Sequence, residues 1–358
     1  MKRFPPILWL VCLVCIACSD SDEQPVEQPV RDAIFLFTST SGVGDNGYND
    51  MILNATSAFA YGHDLDLYII QSATASEAEV QYKLMAEMLD AEAAGRMLIL
   101  LASSEYAAIA STLPQPGEGG SVLLLESDGQ QVPEWMATAK LNRYGASYLT
   151  GAMVSDQPAE LIMAMPGEPL TEEAAAGFEA GFAAHADGKP VTRHYLSEGY
   201  QGFNMQVAAR KLTSSIMKSY QTEEIPYCTF YPLAGGSNLG VYNAFTDYFH
   251  VQQAIGMDID CNDQNDYIPF SVVLHMDKLV QHCLELWYDK ERELPLRSSY
   301  GLDSEFVEIT FSQSWDPMGI FAAWCDPTAT ELPRDFWNNN YLRYLAEAIN
   351  KEKAYENQ

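Results

Sequence analysis

Residues 32–70 read DAIFLFTSTSGVGDNGYNDMILNATSAFAYGHDLDLYII. Ala33 to Phe37 is a short, continuous apolar run, as expected of a strand buried on both faces. The polar, glycine-containing loop Ser39 to Asp50 follows. Asn49 to Tyr61 has helical character, and Leu65 to Ile70 is a second strand. Strand, loop, helix, strand is the unit of a parallel sheet covered by helices.

The unit repeats along the chain. The spacing of Ser76 and Glu79 predicts a capping box opening a helix, in which Val80, Leu84 and Met88 form an apolar face. Gly95 is the expected stop. Strands are expected at Met97 to Ala102 and Ser121 to Glu126. Alternation then resumes: helix Tyr144 to Val154, strand Glu160 to Met165, helix Thr171 to Ala186, strand Thr192 to Leu196 and helix Asn204 to Ser219. In the helix Thr171 to Ala186, Ala176, Phe178, Gly181 and Phe182 offer a packing face of small and aromatic residues. Pro226 to Phe230, His250 to Ile255 and Ser271 to Leu274 are further strands, and Met276 to Tyr288 a helix. Two such runs predict two α/β lobes with parallel sheets. Ligands in such sheets sit beyond the carboxyl ends of the strands, so the loops after strands are where function is sought.

The first of those loops carries glycines at 42, 44 and 47, which let backbone approach a ligand. Asp45 and Asn49 can bond hydroxyls or ring nitrogens, and Tyr48 can stack on a planar group. No Gly-Lys-Ser/Thr follows, so it is not a P-loop.

Residues 1–17 precede the fold. Lys2 and Arg3 form a positive start, Ile7 to Ala17 is an apolar run too short to span a bilayer, and Ala17 precedes Cys18. This resembles a bacterial lipoprotein signal with lipidation at Cys18, although Cys15 stands where leucine is usual. An ordinary secretory signal is the other reading. Residues 18–31 are acidic and Pro-rich, too poor in apolar surface to offset ordering entropy, and read as a tether. Its acidic start reads either as a surface-export signal or as a solvated spacer. The expected location is the cell envelope of a Gram-negative bacterium, on the periplasmic or the outer-membrane face.

Hydrophobic residues make up 47% of the chain, enough for two cores, while 49 acidic residues against 20 basic ones give a net charge of −29. Nucleic acid is therefore excluded as a partner. Cys228, Cys261, Cys283 and Cys325 have no zinc spacing; export permits disulfides, and buried thiols are an equal reading. Asp258, Asp260 and Asn262 open like a calcium loop, but Asp263 and Pro269 break the pattern. No metal, cofactor or catalytic residue is expected.

Several motifs together resemble the basic membrane protein family, the purine-nucleoside-binding lipoproteins of ABC transporters. They are GVGDNGYND (42–50), RYGASYLTGAMV (143–154), FEAGFA (178–183), GYQGFN (199–204), AGGSNLGV (234–241) and GMDID (256–260), in the family's order over residues 33 to 290. The resemblance implies two Rossmann-like lobes of the periplasmic-binding-protein type I fold. One lobe would be 32–140 plus 271–300, the other 141–270 plus 301–358. It implies a base held between Tyr48 and Phe203, with Asn49 facing the base and Asp258, a two-bond acceptor for ribose hydroxyls. Asp45 and, more loosely, Asp128 would line the same cleft. An ABC permease is the implied partner. The family's lysine is missing near Leu274 or His275, and the tail beyond Gly301 has no counterpart. A sugar or other small solute is thus the first alternative ligand, and a surface sensor or adhesion role the second. An enzyme would need an acid–base pair that the sequence does not single out.

Overall fold

The computed structural model describes residues 31–357 except 46, 92–94, 187, 221–226, 248–251, 263–266, 290–292 and 313–332. The expected signal, Cys18, most of the tether, Cys325, Trp315 and Trp324 lie outside the described residues. Among the described residues, no helix is long and apolar enough to cross a membrane.

The strands are β1 (Ala33–Phe37), β2 (Asp66–Ile70), β3 (Met97–Leu101), β4 (Gly120–Leu125), β5 (Ala137–Leu141), β6 (Ala159–Met163), β7 (Val191–Tyr195), β8 (Thr229–Leu233), β9 (Gln253–Ala254), β10 (Gly256–Asp258), β11 (Phe270–Leu274), β12 (Arg297–Tyr300) and β13 (Val307–Phe311). The helices are α1 (Tyr48–Gly62), α2 (Ala75–Ala91), α3 (Ala107–Ala110), α4 (Tyr144–Met153), α5 (Pro169–His185), α6 (Gln206–Tyr220), α7 (Asn238–Ala244), α8 (Met276–Tyr288) and α9 (Pro333–Glu356). A six-stranded sheet runs β12-β5-β4-β3-β1-β2, and a four-stranded sheet β7-β6-β8-β9, both parallel throughout. A third sheet, β10-β11-β13, pairs β13 antiparallel to β11. The α/β class with parallel sheets is therefore the fold.

The continuous apolar runs have their cause in two-sided burial. Ile34 and Leu36 pack into one core while Phe37, next along β1, packs with Ile99, Leu101 and Tyr82 in another. Likewise Leu161 and Met163 of β6 join the large core, and Ile162 joins the one under α6 and α7. Pro232 is tolerated inside β8 because β9 pairs only as far as Phe230, so no ladder partner waits for its missing N–H.

Several expectations are corrected. The capping of α2 lies two residues earlier: Thr74 Oγ1 accepts from Glu77 N at 3.2 Å, and Glu77 Oε2 from Ala73 N at 2.9 Å. Glu79 instead meets Lys83 and Thr112. Val80 and Leu84 are exposed, and the helix buries Ala78, Tyr82 and Met85. Strand β11 pairs with β10 and β13. Of the two readings left open for the cysteines, buried thiols hold for Cys228, Cys261 and Cys283.

Helices α4 and α5 approach backbone to backbone at glycines. A β-carbon on Gly181 would overlap the Tyr148 carbonyl oxygen, and one on Gly151 the Phe178 carbonyl oxygen. Interiors this dense do not absorb an extra methyl. Gly181→Ala is expected to cost about 3 kcal/mol. Urea unfolding of the variant measures it, and a loss below about 0.5 kcal/mol would show that the helices are not in this contact.

Candidate functional site

The carboxyl ends of β1, β3, β6, β8 and β10 converge on one cleft. It holds a cavity of about 100 Å³ whose walls include Tyr48, Ser104, Arg143, Glu168, Phe203 and Asp258. A second cavity of about 290 Å³ adjoins it, sharing Asp45, Tyr48, Gly235, Gly236, Met257 and Asp258 as walls. Five of the six residues singled out from the sequence, Asp45, Tyr48, Asn49, Phe203 and Asp258, line the first cavity. They come from opposite sheets.

Their local roles differ. Asp45 is spent on its own loop: Oδ1 accepts from Gly47 N (2.9 Å) and Asp50 N (3.3 Å), and Oδ2 from Asn49 N (3.0 Å) and Asn49 Nδ2 (2.9 Å). A carboxylate there satisfies the free amides and the positive end of α1. The Asn49 amide is held by Asp45 and Ser41 in turn. Tyr48 keeps its ring in the cleft and donates its hydroxyl to Ala102 O at 3.3 Å. Burial, then Glu126, raises its phenol well above the ordinary value, so it stays neutral. Phe203 sits on a turn of 3-10 helix, Tyr200–Asn204, and stacks on Tyr200 with ring centroids 5.9 Å apart. Gly235, at φ +52, lets backbone come under that ring.

Asp128 is not in the cleft. It is exposed, and its Oδ1 accepts from Gln130 N at 3.0 Å in a local turn. The acid that strand β4 sends toward the site is Glu126, one of three non-glycine residues with positive φ among the described residues, at +62. Its Oε1 accepts from Leu141 N at 2.9 Å, and Oε2 pairs with the Arg143 guanidinium.

Arg143 is the main residue that sequence reasoning missed. It follows β5, whose sequence ATAKL has too little β-branched or aromatic character to announce a strand. With β5 unseen, the rule about post-strand loops had nothing to point at. Arg143 is 6% exposed. Burial opposes its charge, but Glu126, Asp258 and Glu173 outweigh it and keep it cationic. It is the one cation among the residues lining the first cavity. The position near Leu274 and His275 holds none of that charge: Leu274 is buried in the core, and His275 Nε2 pairs with Glu308 at 2.7 Å.

Ser104 and Glu168 were missed as well. Ser104 follows β3, and its Oγ donates to Glu168 Oε1 at 3.0 Å. Glu168 caps α5 through Thr171 N at 2.9 Å. This bond joins the six-stranded sheet's loops to the four-stranded sheet's across the cleft mouth.

Asp258, at φ +72, ends β10 and receives Asn238 Nδ2 at 3.4 Å. Burial pushes its carboxyl up to about 6; Arg143 works against this, and Asp45 and Glu126 add to it. A carboxyl held above its unfolded value of about 3.9 adds stability that is complete below pH ~4 and lost as pH rises through about 6. Asp258→Asn removes that loss. The ligand-free variant is therefore expected to be more stable than the parent at pH 8 by roughly 1–2 kcal/mol, with the gap about halved at pH 5 and closed only below pH ~4. Urea titrations at both pH values test this, and a gap that does not narrow would contradict the assignment.

No protein-family model and no curated protein sequence matches this chain. Solved structures do match in shape. A solute-binding protein of an ABC transporter system from Aeropyrum pernix K1 superposes with a TM-score of 0.61 at 13% identity, over 91% of this chain and 90% of that one. A transcriptional activator of the comK gene from Bacillus halodurans gives 0.58 at 17% identity, over 87% and 97%. A periplasmic solute-binding protein of Actinobacillus succinogenes 130z, solved with bound D-allose, gives 0.57 at 13%, over 78% and 97%. The fold is that of type I periplasmic binding proteins.

Proposed function

We propose that this chain, built on the type I periplasmic-binding fold, is an extracytoplasmic solute-binding protein. It captures a small ligand between its two halves, and a purine nucleoside is the first candidate. Lipidation at Cys18 would anchor it in the envelope, and an ABC permease would take the ligand from it. The observation that carries the reading is the cleft itself. Two aromatic residues from opposite sheets, Tyr48 and Phe203, and the Asp258 carboxylate line one cavity. Apolar faces with a few aimed polar groups are what small-solute sites consist of. Aromatic faces suit a base, and a carboxylate accepting two bonds suits vicinal hydroxyls.

The charges narrow the ligand class. Asp45, Glu168 and Asp258 line the cavity against Arg143, which Glu126 already neutralises. A ligand bearing phosphate or carboxylate would be repelled at short range by acids it cannot displace. The ligand is therefore uncharged or cationic. A polyol or sugar fits the same description, and the D-allose bound by the Actinobacillus protein favours that second reading.

Thermal unfolding against a panel discriminates them. A ligand at about a hundred times its Kd should add roughly 2.7 kcal/mol of stability. Inosine or guanosine is expected to raise the midpoint, and the corresponding monophosphates are expected to bind about 100-fold more weakly or worse, near 2.7 kcal/mol. Phe203→Ala and Asp258→Ala are each expected to weaken nucleoside affinity at least about tenfold. A shift with D-allose alone would move the function to sugars. Tight binding of a monophosphate would overturn the charge argument.

A further inference from the structure

Three segments of chain pass between the six-stranded sheet and the other two. The first is Asn142 and Arg143, between β5 and α4; the second is His275, between β11 and α8; the third is residues 301–306, between β12 and β13. They lie side by side. Asn142 N donates to Tyr300 O at 2.9 Å, and His275 N to Phe306 O at 2.8 Å. Any rotation of one half against the other must be absorbed by φ and ψ changes in these few residues.

Helix α9, from the tail that the sequence left unexplained, reaches into this crossing point. Glu352 is 3% exposed. Its Oε1 accepts from Gly145 N at 2.9 Å, just after the first crossing. Its Oε2 accepts from Leu302 N at 2.8 Å, inside the third. Both sites are made by glycine. A β-carbon on Gly145 would lie 2.7 Å from Glu352 Cδ, and one on Gly301 would overlap Oε2. The carboxylate occupies the room that two missing side chains leave.

Neighbouring contacts hold the helix in place. Lys353 Nζ pairs with Asp303 Oδ2 at 2.7 Å, again in the third crossing. Tyr355 stacks on Tyr144 with centroids 4.2 Å apart, and Tyr148 donates to Glu347 Oε1 at 2.6 Å. On the other side, Glu173 of α5 accepts from Arg143 N at 2.6 Å and Tyr144 N at 3.2 Å. The start of α4 is thus held by carboxylates from two other helices, and Arg143 leaves that point directly for the cleft.

We infer that Glu352 is a hinge clamp: one buried carboxylate ties the first and third crossings together, and so sets both the resting angle between the halves and the placement of Arg143. Bonds to an ionised acceptor are stronger than neutral ones, and a single side chain holding two strands couples them. A helix that merely covered α4 would contact Gly145 and leave Leu302 free.

Hydrogen exchange resolved to single amides tests the clamp on the full chain without any ligand, so its outcome is separate from that of the proposed function. It is run at pH 8, above the value of about 7 to which burial raises the Glu352 carboxyl. In Glu352→Gln the amides of Gly145 and Leu302 are expected to exchange at least tenfold faster together, with β1 and β3 unchanged. Gly301→Ala pushes the carboxylate off the third crossing alone. The clamp then predicts faster exchange at Gly145 too, although nothing near Gly145 was altered. Unchanged protection of Leu302 in the first variant, or of Gly145 in the second, would overturn the inference.

Discussion

The charge of Arg143 is the constraint around which the cleft is arranged. A buried guanidinium costs several kcal/mol unless it is paired and hydrogen-bonded. Here the pairing comes from both halves: Glu126 from the end of β4 and Asp258 from the end of β10 face it from opposite sheets. Both acids have left-handed backbone, which is rare for such residues. The strain of that conformation is on the order of 1 kcal/mol each, and it is offset by the bonds their side chains make. Without the arginine the two carboxylates would stand near each other in a poorly solvated cleft. Without them, a lone cation would be buried at the crossing of the halves.

The same residue joins site and hinge. Arg143 is the last residue before α4, and its backbone belongs to the crossing while its side chain belongs to the cleft. Anything that moves the start of α4 moves the guanidinium. Glu173 and Glu352 hold that start from two directions. This gives the C-terminal helix a part in the working of the cleft, which it does not line.

Much of the architecture was legible because its cause is local. AIFLF, MLILL and LIM are apolar without interruption, since both faces of a covered parallel sheet are buried. ATAKL, RSSY and VEITF carry no such signature, because they are short, polar or at the sheet's margins, and they were not seen. Helix α2 shows a second limit. Val80 and Leu84, and the set Ala78, Tyr82 and Met85, both satisfy helical spacing, and only packing against β1 and β3 chose the latter. At the site, Asp128 and Glu126 are two residues apart on one strand end; the positive φ of Glu126 turned the other acid inward.

The sequence by itself determined the alternation of strands and helices, the acidity, the glycine loop after β1 and the ends of strands where a ligand belongs. These are properties of a few adjacent residues, written in periodicity and backbone preference. The tertiary structure alone decided which charges meet. Glu126 and Arg143 are near in sequence, but Asp258 joins them from a different sheet, and Glu352 meets Gly145 across 207 positions. Such pairings depend on how three crossings lay the sheets against each other, and no local pattern encodes that. In a chain with 49 acids, burial against a partner is what separates the few that hold the structure from the many that face water.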